Sequence, residues 1–179
     1  MALLNTSGFE QKKVGLAELA ASGDPQFVLA SGWLGSGLGL ALYDPLPRVG
    51  GILHAVLPDS TADPGKAVRR PALFIDTGVA ALLDAMLRLG AAKDRLRVAL
   101  AGGAQILGAP SAFNVGQRNW DAALAALRQC GLPSPPQSAL QQVSGRITLE
   151  LATGEARLHL PGQARPLLLW NNSTATSTR

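Results

Sequence analysis

Few side chains in this 179-residue sequence could do covalent or acid–base work. They are two histidines, His54 and His159, one cysteine, Cys130, and the hydroxyls of Ser31 and Ser36 beside a run of glycines. His54 stands inside the apolar run Gly51-Ile-Leu-His-Ala-Val-Leu57. An imidazole there can act as a general base only with a nucleophile within hydrogen-bond reach. Without one it reads as a core histidine. Cys130 follows a helical apolar stripe and precedes Gly131, a setting that suits a buried structural thiol better than an activated one. His159 has no motif around it. A single cysteine excludes an internal disulfide and any multi-cysteine zinc centre, and two histidines leave little for a histidine cluster. No metal and no cofactor are expected.

The glycine motifs point away from nucleotides. Gly35-Ser-Gly-Leu-Gly39 invites a dinucleotide reading, but that fingerprint needs Gly or Ala at the third position and a helix behind it. Here the third position falls on Leu40 or Leu42, and the following residues read as a strand. Gly102-Gly103 lacks the Lys-Ser/Thr of a phosphate loop. Such a pair serves instead to turn the backbone or let it approach a neighbour closely.

The elements that must position these residues follow from periodicity and punctuation. Short apolar runs predict strands over 14–19, 26–30, 38–43, 49–57 and 96–101. The third and fourth form a hairpin across Asp44-Pro-Leu-Pro47. Residues 58–71 carry Pro, Asp, Gly and Lys without periodicity and read as an exposed loop. Asp76 opens a helix whose stripe is Val79, Leu82, Leu83, Met86, Leu87 and Leu89, closed by Gly90. Asn119 or Asp121 caps a second helix, with Trp120, Ala123, Leu124 and Leu127 on its buried face, ending at Cys130-Gly131. Alternation over 143–151, the Thr153-Gly154 turn and a return over 156–160 predict a last hairpin, with an edge strand over 166–170. The expected fold is α/β: a layered sandwich with a mixed β-sheet and two main helices. Residues 1–13 read as a flexible N-terminus, 14–170 as one domain, and the polar 171–179 as a disordered tail.

Composition narrows the partners. Charged residues are 16% of the chain and the formal net charge is +4, with Lys and Arg scattered rather than in a block. That argues against a nucleic-acid module, which would show a basic stripe or a known motif. No apolar run approaches the roughly 18 residues of a membrane span, so no membrane insertion is expected. The first residues lack a basic region followed by a long apolar stretch, so a cytoplasmic location is the expectation.

Taken together, the motifs resemble one family. Trp33-Leu-Gly-Ser-Gly-Leu-Gly-Leu-Ala-Leu-Tyr-Asp44 and Val49-Gly-Gly-Ile-Leu-His-Ala-Val-Leu-Pro58 resemble the CheD family, the chemoreceptor glutamine deamidases of bacterial and archaeal chemotaxis. The likeness continues through Phe74-Ile-Asp-Thr77, Gly90-Ala91, Ala101-Gly-Gly-Ala104, Asn114-Val-Gly-Gln-Arg-Asn119, Gly145-Arg146 and Thr153-Gly154. The resemblance implies a cysteine-protease-like site. A cysteine thiolate attacks the side-chain amide carbon of a receptor glutamine, ammonia leaves, and water hydrolyses the thioester to glutamate. A histidine keeps the thiol ionised and protonates the leaving amine, and a threonine hydroxyl helps hold the pair.

Carried onto this chain, the resemblance maps the histidine to His54 and the threonine to Ser31. The family's Leu-Gly-Ser-Cys reads Leu34-Gly35-Ser36-Gly37, so glycine occupies the nucleophile position seventeen residues before His54. No thioester can form on Gly37. Ser36 is the nearest substitute hydroxyl, but the family carries serine there beside an intact cysteine, and strand neighbours face opposite ways. The expectation is a CheD-like protein without deamidase activity that binds chemoreceptor cytoplasmic helices, and also a CheC-type phosphatase. Phe74, Asp76, Asn114, Arg118 and Asn119 fall on the family's binding surface, and each also has a plain reading as a cap or turn residue. The alternatives are an active deamidase using another nucleophile, and a divergent domain outside chemotaxis.

Overall fold

The computed structural model describes residues 9–105, 114–135 and 140–170. The tail 171–179 and the first eight residues of the N-terminal segment lie outside them. Nine strands form two sheets. The first strand, β1 (Glu10–Val14), pairs in parallel with β3 (Phe27–Ser31). The antiparallel strands β7 (Arg146–Glu150), β8 (Glu155–His159) and β9 (Leu167–Trp170) complete a five-stranded mixed sheet ordered β1-β3-β7-β8-β9. The second sheet is antiparallel throughout. It comprises β2 (Glu18–Ser22), β4 (Leu38–Asp44), β5 (Val49–Ala55) and β6 (Arg97–Gly102), in the order β2-β5-β4-β6.

The two sheets stack face to face, and two helices cover the outer face of the smaller one. These are α2 (Ile75–Arg88) and α3 (Val115–Gln129), with the short α1 (Pro64–Arg69) between β5 and α2. The α/β layered sandwich with two main helices is therefore the fold observed. Its middle sheet is buried on both faces, and every residue of β4 and β5 is buried. Strands covered on both sides read as continuous apolar runs, which is how 38–43 and 49–57 read. Val79, Leu82, Leu83 and Met86 of α2 are buried, as are Trp120, Ala123 and Leu127 of α3. Gly90 and Gly131 follow the helix ends at φ +93° and +69°, the left-handed conformation of a C-terminal cap.

Three local readings are corrected. The strand expected over 14–19 is two strands: the chain turns at 15–17, with Ala17 at φ +57°, and passes from one sheet to the other. The loop over 58–71 contains α1, because the Asp63 carboxylate accepts from the Lys66 N–H and Pro64 sits in the first turn. The second helix begins at Val115, not after Asn119. Asn114 is its cap, accepting from the Gln117 N–H, and this places Asn119 inside the helix and fully buried.

One buried charge fixes the end of β4. Asp44 is fully buried and accepts from the Arg95 guanidinium (2.7 and 3.0 Å) and from the Ala92 and Leu46 N–H groups. Burial alone raises its carboxyl, but these four hydrogen bonds outweigh it and hold the group below the usual carboxylate range.

Candidate active site

Gly37 and His54 come together at one end of the middle sheet. β4 and β5 pair so that Gly39 lies opposite His54 and Leu38 opposite Ala55. Directly paired residues share a face, so Gly39 looks the same way as His54, and Gly37 lies in the bend just before β4. A Cβ built on Gly37 would stand 3.6 Å from His54 Nε2. It would also stand 2.7 Å from the Ala55 carbonyl oxygen, so a side chain there requires that backbone to shift.

The bend carrying Gly37 is tied down from three sides. The Gly103 N–H donates to the Gly37 carbonyl and the Ala104 N–H to the Gly35 carbonyl, both at 2.9 Å. Asn119 Nδ2 donates to the Ser36 carbonyl at 2.8 Å and to the Val56 carbonyl at 2.9 Å. One buried amide thus links the bend before β4 to the chain just after His54. Gly102, at φ +113°, lies so close to the Gly37 carbonyl that a Cβ there would collide with it. This is the close backbone approach that the glycine pair foretold.

His54 is 2% exposed, and its Nδ1 has no hydrogen-bond partner among the described residues. Burial pushes the imidazole below its ordinary pKa, so it is neutral at physiological pH. Ser31 is buried nearby, but its hydroxyl donates to the Gly32 carbonyl (2.8 Å) and accepts from the Ile147 N–H (3.0 Å). It ties β3 to β7 rather than orienting the imidazole. Ser36 lies in the bend and not on a strand, so the alternation argument against it does not apply to its actual conformation. Its carbonyl is held by Asn119.

The remaining candidates separate. Cys130 caps the far end of α3, about 16 Å along the helix axis from Asn119 at 1.5 Å per residue. Burial pushes its thiol pKa up, which disfavours the thiolate. His159 sits on the other sheet, bonded to the Thr148 hydroxyl at 2.9 Å. Phe74 is fully buried ahead of α2, and Asp76 accepts from the Ser60 N–H (3.0 Å) and hydroxyl (2.7 Å). Of the five residues on the expected binding surface, only Arg118 is exposed. Among the described residues no cluster of His, Cys, Asp and Glu could hold a metal ion, and no helix is long and apolar enough to cross a membrane. The clamp formed by Asn119 was not foreseen. Its sequence signal was an asparagine one position before the tryptophan of a helical stripe, which read as a cap.

Comparison with known proteins points to one family. The family model described as CheD chemotactic sensory transduction matches residues 56–160, a span that begins two residues past His54. A protein named probable chemoreceptor glutamine deamidase CheD from Solibacter usitatus is 35% identical over 159 residues, covering 89% of this chain and 94% of the relative. One of the same name from Symbiobacterium thermophilum is 44% identical over 117 residues, covering 64% and 70%. Another from Pyrococcus abyssi is 34% identical over 148 residues, covering 82% and 89%.

Proposed function

The chain belongs to the CheD family, and on that premise we propose that it works in chemotaxis as a binding protein rather than a deamidase. In this reading it docks in the cytoplasm on the helices of a chemoreceptor and grips a glutamine side chain without converting it. A CheC-type phosphatase is the second partner class in the same reading. The observation that carries it is the glycine 3.6 Å, at its Cβ position, from His54 Nε2. The place where a nucleophile would meet the imidazole has no side chain.

The chemistry of the neighbours supports the same reading. Amide attack needs a nucleophile, a base in contact with it, and a third group that orients the base. Gly37 removes the first. His54 Nδ1 has no described partner, and the Ser31 hydroxyl is committed to backbone groups of two strands, which weakens the third. Loss of the attacking group in covalent catalysis costs several orders of magnitude in rate. A neutral buried imidazole acting alone on water would not recover that.

The test uses a purified chemoreceptor cytoplasmic fragment incubated with this protein and, in parallel, with its Gly37→Cys variant. Binding is read by co-sedimentation and conversion by peptide mass spectrometry. The expected result is that both proteins bind, the parent leaves every glutamine intact, and the variant yields glutamate at defined positions. Glutamate produced by the parent would overturn the reading and move the search to Ser36, Ser31 and Cys130.

A further inference from the structure

The edge strands of the two sheets meet close to the Gly37–His54 pair and border a surface depression. β1 ends the five-stranded sheet and β2 ends the four-stranded one, and the turn at 15–17 joins them. Between this edge and the segment leading from α1 to α2 lies a groove of about 490 Å³. Lys12 and Lys13 line it from β1, and Arg69 and Arg70 from the end of α1. All four are exposed, and no ion pair among the described residues involves any of them. The Lys12 ammonium stands 6.0 Å from the centroid of the Phe27 ring. One carboxylate, Glu18, also lines the groove, and it accepts from the Gly15 N–H at 2.8 Å.

Four like charges along the walls of one groove raise the local positive potential. They are complementary to an anionic occupant. A pocket for one small anion would gather its donors around a buried, fixed point. Here the donors are the ends of long exposed side chains on two separate elements, over a floor of small apolar residues such as Val14 and Ala72. That arrangement fits a polypeptide carrying several carboxylates along its length.

The groove lining is tied to the candidate site through the backbone. The Ala17 N–H, in the groove lining, donates to the His54 carbonyl at 2.9 Å. The Gly32 N–H donates to the Val14 carbonyl at 2.8 Å, and a Cβ on Gly32 would lie 3.4 Å from His54 Nδ1. The groove floor is therefore one hydrogen bond from the histidine. We propose that this groove docks an acidic segment of a protein partner, so that the adjoining stretch of the same partner lies over the end of the sheet that carries Gly37 and His54. The groove assignment stands on its own residues. Only the identity of the partner as a chemoreceptor rests on the function proposed above.

The test measures binding of the full chain to three probes: a chemoreceptor cytoplasmic fragment, polyglutamate, and a single-stranded oligonucleotide of matched charge. The variants are Lys12→Glu/Lys13→Glu and Arg69→Glu/Arg70→Glu, with Arg128→Glu on the exposed side of α3 as the control. Each double reversal is expected to weaken fragment and polyglutamate binding about tenfold near 0.1 M salt, the control to leave it within about twofold, and the parent's affinity to fall as salt rises. Fragment binding that survives both reversals unchanged overturns the groove assignment, as does a parent that binds neither the fragment nor polyglutamate. Oligonucleotide binding equal to that of the acidic polypeptides overturns the assignment to a protein partner. If polyglutamate binds and the reversals weaken it while the receptor fragment does not bind, the groove stands and the receptor reading falls.

Discussion

A thiol on residue 37 would sit within reach of His54 Nε2, but the imidazole it would meet is an unusual one. Burial alone holds its pKa below the ordinary value. In the folded state it therefore stays neutral where an exposed histidine would already be protonated. This sets a pH signature. Below about 6.5 the unfolded chain takes up a proton on residue 54 and the folded chain does not, so unfolding gains free energy as the pH falls. The stability held by the neutral form is complete above that pH and is lost progressively between it and the lower folded value. The parent should lose more denaturation free energy than His54→Gln on going from about pH 7.5 to about pH 5, measured by denaturant unfolding at each pH. His159 is also depressed by burial and by the nearby Arg146 and Arg157, but it is common to both proteins and cancels in the difference. Equal losses would show that His54 is solvated in the folded protein. At this scale the pairing of positions 37 and 54 was legible only through the family resemblance, which places a nucleophile seventeen residues before its histidine. The sequence did not carry the state of Ser31, whose hydroxyl bonds to Ile147 across 116 residues. No local pattern encodes which of several backbone groups a buried hydroxyl will choose.

Elements hold that pair in register, and the least obvious of them is α3. Its residue Asn119 is fully buried and donates to the carbonyls of Ser36 and Val56, segments that lie on either side of the Gly37–His54 contact. Asn119→Ala would strand two carbonyls and open a small void. Each unsatisfied buried group costs about 1–3 kcal/mol, so a loss of about 2–4 kcal/mol in unfolding free energy is expected. Made in the Gly37→Cys background, the same change should also lower conversion of receptor glutamine while leaving fragment affinity within about threefold, since the clamp places the bend and not the partner. Unchanged conversion in a folded double variant would mean that the Gly103 and Ala104 bonds suffice to hold the bend. The helices themselves were legible from their stripes and glycine ends. The start of α3 was not, because Asn114 and Asn119 are equally good caps by residue type and only burial separates them. The short helix α1 was missed for a related reason: six residues with one buried side chain, Ala67, leave no periodicity to read, and its evidence is the Asp63 cap alone.

Across the whole molecule, the site depends on how closely two sheets approach, and glycine sets that distance. A Cβ on Gly39 would meet Leu34 and Ile147 at 2.8 and 2.9 Å, and one on Gly50 would meet Leu151 and Leu149 at 2.5 and 2.7 Å. Both glycines belong to the middle sheet, and all four partners come from the large sheet or the segments flanking it. The layered class was readable from the order of elements, but the division of nine strands into two sheets was not. Strands β1 and β2 are consecutive yet belong to different sheets, and β3 pairs with β7 more than a hundred residues away. The glycines nonetheless carried a trace of it, since three of them in β4 and β5 weaken a strand unless another layer must pass close by. Gly39 lies directly opposite His54 in the ladder, so wedging the sheets apart there should reach the site as well as the core. Overpacking of this kind costs about 1–3 kcal/mol. Gly39→Ala and Gly50→Ala should each lower unfolding free energy by that amount, but only Gly39→Ala, placed opposite His54, should further reduce the activity that Gly37→Cys confers. Equal effects of the two on conversion would tie activity to global stability. No effect of either on stability would mean that Leu34, Ile147, Leu149 and Leu151 have room to move, and that the sheet spacing is set elsewhere.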